Sequence, residues 1–366
     1  MDEYFLNKKV NEREQNNSLR FLKKEEENLV DFCSNDYLGI VKNKLIEKKI
    51  NASLSHGSTG SRLLSGNYQL IEETEKLIAD FHEAEAGLIF NSGYDANTGI
   101  LSCVPQKSDF IFYDQLSHAS LRDGVRLSFA TSFSFLHNDI EDLEKKLKSV
   151  ETNHQKFVVT ESVFSMDGDY APLEKINDLC EKYNAALIVD EAHATGIIGE
   201  KGEGLVQHLD LQKKCFARIH TFGKACGVHG AVILGSAKLK KYLINFSRQF
   251  IYSTSLPPAA AEAIKISYEI FPSMEKERKD IQALISTFKR EKLKFKILQS
   301  ETPIQIVIIP GNEEVKNIAK LCRQKNLDIR PILYPTIPKG QERLRIVLHA
   351  YNTVDEVNQL LEILRE

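Results

Sequence analysis

Leu187-Ile188-Val189-Asp190-Glu191-Ala192-His193-Ala194-Thr195-Gly196 is an apolar run that ends in an acid, with a histidine three residues further on. It reads as a strand of a sheet covered by helices on both faces, because similar β-rich runs alternate with helical periodicity on either side of it. Strands are expected at Asp109 to Tyr113, Lys156 to Thr160, Ala185 to Asp190, Arg218 to Thr221 and Gly230 to Gly235. Between them, Glu72 to Ala84, Glu141 to Lys148 and Leu173 to Tyr183 carry the spacing of amphipathic helices. The expected fold is α/β, three-layered, with a mainly parallel sheet. In such sheets ligands sit beyond the carboxyl ends of the strands, so Asp190 and His193 point into the expected crevice.

After Leu256-Pro257-Pro258 the pattern changes. One long helical stretch over roughly 259 to 292 is expected, then a strand at Ile304 to Ile309, a helix from Glu313 and a strand at Leu344 to Leu348. The final helix opens on Thr353 and Glu356, a capping-box spacing, and carries Val354, Val357, Leu360, Leu361 and Leu364 on one face. Three regions are therefore expected: an N-terminal segment, 1–40, packing with the small domain or a dimer partner; a large α/β domain, 41–250; and a small α+β domain, 251–366.

The 366 residues, 42% hydrophobic and 27% charged, suit an ordinary globular protein with room for a deep cleft. A formal charge of −3 and short, leucine-interrupted lysine runs argue against nucleic-acid binding. The six cysteines show no CxxC or CxxH spacing, so no metal site or redox pair is expected. Met1-Asp2-Glu3-Tyr4-Phe5 is acidic where a signal peptide is basic, and no run of about 18 apolar residues occurs. The expectation is a soluble, cytoplasmic protein without a membrane span.

Thr221-Phe222-Gly223-Lys224-Ala225-Cys226-Gly227 follows another strand. A lysine in a Gly-flanked turn there can bend into the crevice, lose solvation and form an imine with an aldehyde. A carboxylate such as Asp190 can keep a pyridine nitrogen protonated. Phe90-Asn91-Ser92-Gly93-Tyr94-Asp95-Ala96-Asn97 opens a helix whose free N–H groups suit a phosphate ester, and Thr221 can add its hydroxyl. Asp114-Gln115-Leu116-Ser117-His118 places His118 at a further strand end, where imidazole could stack on a flat ring. Singly, each piece has a plainer reading: Asp190 as a helix cap, Lys224 as a surface residue, His118 as a histidine held by local hydrogen bonds. Their joint arrival at neighbouring strand ends is what points to chemistry.

Together these residues resemble the α-oxoamine synthases among the fold-type I pyridoxal-phosphate enzymes, which condense an amino acid with an acyl thioester and release carbon dioxide. The likeness runs from Ser34-Asn35-Asp36-Tyr37-Leu38-Gly39 to Arg343-Leu344-Arg345-Ile346. It implies that Lys224 carries pyridoxal 5'-phosphate, Asp190 pairs with its ring nitrogen, His193 and Ser165 meet the ring hydroxyl and His118 stacks on the ring. It further implies that Gly93 and Tyr94 backbone groups, Thr221, and Thr254 from a second subunit hold the phosphate, in a homodimer with shared sites. Arg345 and Asn35 match residues at the amino-acid carboxylate, and Arg20 one lying toward the acyl chain.

Ser61-Arg62-Leu63 resembles the form found in the members of that family that take L-alanine and a pimeloyl thioester, on coenzyme A or an acyl carrier protein, into biotin synthesis. Ile71 and Asn352 stand where the family commonly has histidines. The alternatives are a serine palmitoyltransferase-like or 2-amino-3-ketobutyrate ligase-like enzyme, and an aminotransferase on the same fold.

Overall fold

The computed structural model describes residues 3–22, 24 and 28–365; Met1 and Asp2 of the N-terminal stretch weighed above as a leader lie outside them. The chain divides into two compact units, one of 1–37, 166–169 and 279–366, the other of 38–165 and 170–278. The second unit thus runs on through residues 251–278, where the sequence pattern alone places the change at 251.

In chain order, the smaller unit contributes the two-residue strand β1 (Val30–Asp31). The larger unit follows with β2 (Ala86–Phe90), β3 (Phe110–Asp114), β4 (Thr131–Phe135), β5 (Lys156–Glu161), β6 (Ala185–Asp190), β7 (Ala217–Thr221) and β8 (Ala231–Gly235). These seven form one sheet in the order β2-β8-β7-β6-β5-β3-β4. From β7 to β4 every pairing is parallel, while β8 runs antiparallel to both of its neighbours. The reason lies in the connection: only residues 222–230 separate β7 from β8, and a parallel return needs a crossover of a dozen residues or more.

Alternate residues of the central strands feed two separate cores, which is why the sheet carries helices on both faces. Phe112, Val158, Leu187 and Val189 pack with Leu143, Leu147, Leu173 and Ile176 on one side. Ile111, Phe157, Val159 and Ile188 pack with Ile100, Leu121, Val125 and Leu243 on the other. The α/β, mainly parallel, three-layer expectation therefore holds. Two strands of this sheet escape the sequence reading: β2, and the edge strand β4, whose Thr131-Ser132-Phe133-Ser134 is mostly exposed and lacks an apolar run.

The expected helix over 259 to 292 is two helices. Pro258–Ile270 and Glu275–Lys289 are separated by a 3-10 turn at Phe271–Ser273. Pro272 has no N–H to continue the hydrogen-bond ladder and its ring crowds the preceding turn.

In the smaller unit, β9 (Lys296–Ile297), β10 (Ile304–Ile308), β12 (Arg330–Ile332) and β13 (Arg343–Val347) form an antiparallel sheet, and β11 (Leu327–Asp328) pairs with β1. The last helix, Val354–Arg365, is capped as its sequence indicates: Thr353 N–H donates to Glu356 at 2.7 Å and Glu356 N–H to Thr353 Oγ1 at 3.2 Å. Val357, Leu360, Leu361 and Leu364 are buried, whereas Val354, expected on the same face, is half exposed because it sits in the free first turn.

A cap of this kind contributes about 1 kcal/mol, against roughly 2–5 kcal/mol for deleting a buried leucine. Thr353→Ala is accordingly expected to fold and lower the urea midpoint by about 1 kcal/mol in stability, while Leu360→Ala lowers it several-fold more; equilibrium urea titration separates the two.

Candidate functional site

Four strands of the larger sheet end on a polar residue at its carboxyl edge: β3 on Asp114, β5 on Glu161, β6 on Asp190 and β7 on Thr221. β5 ends on Glu161 and β6 on Asp190, and the two residues are in register on adjacent strands. Asp190 is 5% exposed. Its Oδ1 accepts from Ala192 N–H at 2.9 Å and its Oδ2 from Asn97 Nδ2 at 2.7 Å. The carboxylate is therefore pinned on two sides. His193, one turn on, is buried. Ser165 is half-buried in the loop that follows β5.

Lys224 sits on the loop from β7 to β8. Phe222 N–H bonds Gly230 O at 2.9 Å and Val228 N–H bonds Phe222 O at 3.0 Å, closing the loop at its neck. Phe222, Ala225 and Cys226 are fully buried, and Ser267 Oγ holds Cys226 O at 2.7 Å. Lys224 itself is only half-buried. Thus the backbone on both sides of the lysine is locked. Its ammonium charge is felt by both Glu161 and His118.

Beyond β3, the helix Ala119–Leu127 starts at His118, whose N–H donates to Glu161 Oε1 at 2.5 Å. Glu161 is buried, and burial first and the neighbouring Asp190 second push its carboxyl well above the ordinary range, with Lys224 pulling the other way. His118 is open to solvent on one side. Its pKa lies below the ordinary value, chiefly because the walls of the site strip water from part of the ring; Asp190 opposes the shift and Lys224 adds to it.

Beyond β2, Ser92 caps the helix Gly93–Cys103, its Oγ accepting from Asp95 N–H at 3.0 Å. That leaves the N–H groups of Gly93 and Tyr94 without an intrahelical acceptor, at the positive end of the helix dipole. A Cβ on Gly93 would stand 3.1 Å from Thr221 Oγ1 and 3.3 Å from Thr221 Cβ. Backbone and hydroxyl thus form a cradle that only glycine leaves open, of the kind a phosphate ester needs. The Tyr94 ring lies outward, its hydroxyl on Asp123. Thr254 is exposed, and its carbonyl accepts from Asn91 Nδ2 at 2.8 Å, just before this helix.

The remaining residues belong to the smaller unit. Arg345, on β13, donates from Nη2 to Asn35 Oδ1 at 3.0 Å, so it is a half-buried, tethered arginine and not a freely solvated one. Arg20 is exposed and bonds Thr336 Oγ1 at 2.8 Å. Of the two departures noted in the sequence, Ile71 is a buried core residue of the helix Gln69–Phe81, and Asn352 closes a turn through His349 N–H at 2.9 Å.

Three residues at the sheet edge carry no role in the sequence reading: Glu161, Asn97 and Ser120. Asn97 lies within the quoted helix-opening motif, and its position one turn inside the helix was the available signal.

A model of the family "aminotransferase class I and II" matches residues 27–364. The chain belongs to that family. Within the aminotransferase class I and II family it is 38% identical to the 8-amino-7-oxononanoate synthase of Lysinibacillus sphaericus, over 92% of this chain and 87% of that one. Among solved structures it resembles an 8-amino-7-oxononanoate synthase from Francisella tularensis, with a TM-score of 0.77 and 28% identity over 93% of this chain and 98% of that one. It also resembles the serine palmitoyltransferase of Sphingomonas wittichii, with a TM-score of 0.84 and 27% identity over 92% and 86% of the two chains. The likeness to α-oxoamine synthases read from the sequence therefore holds at the level of that group.

Arg62, one of the residues that marks the subgroup, is a structural residue here. Its guanidinium bonds Glu75 at 2.6 Å and Asn67 at 2.7 Å, and Glu75 also takes Lys240 at 2.8 Å and Ile89 N–H at 2.9 Å. The Arg62 side chain is 9% exposed and that of Lys240 31%. Breaking a buried pair costs about 3–5 kcal/mol, an exposed one about 1 kcal/mol or less. Arg62→Met is expected to destabilise the protein clearly more than Lys240→Met in urea titration.

Proposed function

We propose that this protein is a pyridoxal-phosphate-dependent acyltransferase that condenses L-alanine with a pimeloyl thioester to give 8-amino-7-oxononanoate, carbon dioxide and the free thiol carrier, a step of biotin synthesis. The observation that carries this reading is the doubly pinned Asp190 carboxylate, with the Lys224 cation and the Gly93–Thr221 cradle at neighbouring strand ends. Relatives at 38% identity bear the same enzyme name.

The residues fit the cofactor: a helix N-terminus opened by glycine for its phosphate, a fixed acid for its ring nitrogen and a lysine on a rigid neck for its aldehyde. When bound, the cofactor supplies a carbonyl that joins the substrate amine and a protonated ring that withdraws electrons from the substrate α-carbon. Asp190 holds the proton at the pyridine nitrogen, and Asn97 with Ala192 N–H keeps that carboxylate aimed. Gly93, Tyr94 and Thr221, together with Thr254 of a second copy, bind the phosphate. His193 and Ser165 are assigned to the ring hydroxyl and His118 to the ring face. Lys224 Nζ takes the alanine α-proton as general base. Arg345, braced by Asn35, binds the alanine carboxylate through a planar pair of donors, and Arg20 is assigned to the acyl chain.

A homodimer is part of this proposal. Leu64 and Tyr252 are 86% and 73% exposed on segments flanking Thr254, large apolar surface that a second copy would cover. Among the described residues, no helix is long and apolar enough to cross a membrane.

The structural likeness to serine palmitoyltransferases supports a second reading in which the amino acid is serine. Labelled alanine, glycine and serine are offered separately with pimeloyl thioesters of coenzyme A and acyl carrier protein, and products are read by mass spectrometry. Only alanine is expected to give an amino ketone of the oxononanoate mass; a serine product instead establishes the second reading.

Lys224→Ala is expected to lose the visible absorbance of the bound cofactor and all measurable turnover; normal turnover in this variant overturns the assignment. Gly93→Ala is expected to fold normally yet bind pyridoxal phosphate about tenfold more weakly, roughly 1.4 kcal/mol, by equilibrium dialysis, because its methyl must displace Thr221.

A further inference from the structure

Between the acid and the imidazole runs a short chain of hydrogen bonds with a fixed direction. Asn97 Nδ2 donates to Asp190 Oδ2 at 2.7 Å and to Ser120 Oγ at 2.9 Å, using both of its hydrogens. The amide cannot be turned over, because its oxygen would then face the Asp190 carboxylate. Ser120 Oγ, having accepted from Asn97, lies 2.7 Å from His118 Nδ1. Ser120 N–H also donates to that nitrogen, at 3.2 Å, which makes His118 the cap of its own helix.

A backbone N–H can only donate, so Nδ1 must be an acceptor. The proton of neutral His118 therefore lies on Nε2. Adding a second proton at Nδ1 would set it against the Ser120 N–H, at the positive end of a helix of nine residues. The two helices approach closely enough for the Asn97–Ser120 bond because residue 124 is glycine. A Cβ there would come within 2.9 Å of Asn97 O and Leu101 Cβ.

We propose that Asn97 and Ser120 are positioning residues that hold His118 as its neutral Nε2–H tautomer, so that it serves the site as a hydrogen-bond donor and not as a base. The charged groups facing the imidazole come from every neighbouring element. Asp190 ends β6, Lys224 lies on the β7–β8 loop, Arg122 and Asp123 share its helix, and Glu161 at the end of β5 holds its N–H. Removal of water from part of the ring, Lys224 and Arg122 disfavour the imidazolium; Asp190 and Asp123 favour it. The assignment divides labour: Lys224 moves the proton and His118 donates a hydrogen bond. The use of that donor in catalysis rests on the proposed condensation, whereas the tautomer does not.

The test uses the cofactor-loaded protein with 15N-labelled histidine, His118 being assigned by the signal lost in His118→Gln. Long-range 1H–15N spectra at pH 8 are expected to show His118 Nδ1 bare and Nε2 protonated; a protonated Nδ1 overturns the proposal without recourse to any other variant. Ser120→Ala is expected to admit the other tautomer and to raise the His118 titration midpoint by half a unit or more, about threefold in proton affinity. It should also lower kcat with little change in the KM for alanine. Ser120→Thr restores the hydroxyl and the wild-type spectrum. Wild-type tautomer and midpoint in Ser120→Ala overturn the role of Ser120. Failure of the condensation itself would show as absent product with these spectra unchanged.

Discussion

Two carboxylates, Glu161 and Asp190, end adjacent parallel strands in register, where sheet geometry sets backbones about 4.8 Å apart. Left alone, such a pair would repel and shed a charge. Here the two acids are treated unequally. Asp190 receives an amide and a backbone N–H. Glu161 receives the His118 N–H and is pushed toward its protonated form by burial and by Asp190. One strand register therefore sets a doubly hydrogen-bonded acid beside a second acid whose carboxyl is pushed up by burial and by that neighbour. The lysine, the histidine and the helix cradle are arranged around this asymmetry.

The supports of the site are backbone features more often than side chains. Gly93 leaves room at Thr221, Gly124 lets two helices approach, and the short neck of the β7–β8 loop reverses a strand in an otherwise parallel run. Each is a local allowance of space or direction that makes one hydrogen bond or one reach possible. The buried Arg62–Glu75 pair acts likewise, fixing the loop before the helix Gln69–Phe81 and the carboxyl end of β2 at once.

Much of this was legible in the sequence because parallel strands buried on both faces must be written as short apolar runs, and because acids at their ends interrupt those runs. β6 was read to the residue, and the constellation of Asp190, His193, Lys224, Thr221 and His118 followed from strand ends alone. The polar edge strand β4 had no such signature. The break at Pro272 was visible in principle, yet helical periodicity on both sides masked it. Asn97 and Ser120 escaped for a different reason. Their importance comes from two helices crossing, and a crossing is set by contacts distant in sequence, such as Gly124 against Asn97.

The loop that bears Lys224 has one more consequence. With Phe222 and Cys226 sunk in the core on either side of it and the neck bonded shut, the backbone cannot follow the side chain. All travel of the amine must come from its own four-carbon stem. In the proposed role of Lys224 as the group that holds the cofactor, its amine would stay on a tether a few ångströms long, at a very high effective concentration for the cofactor aldehyde.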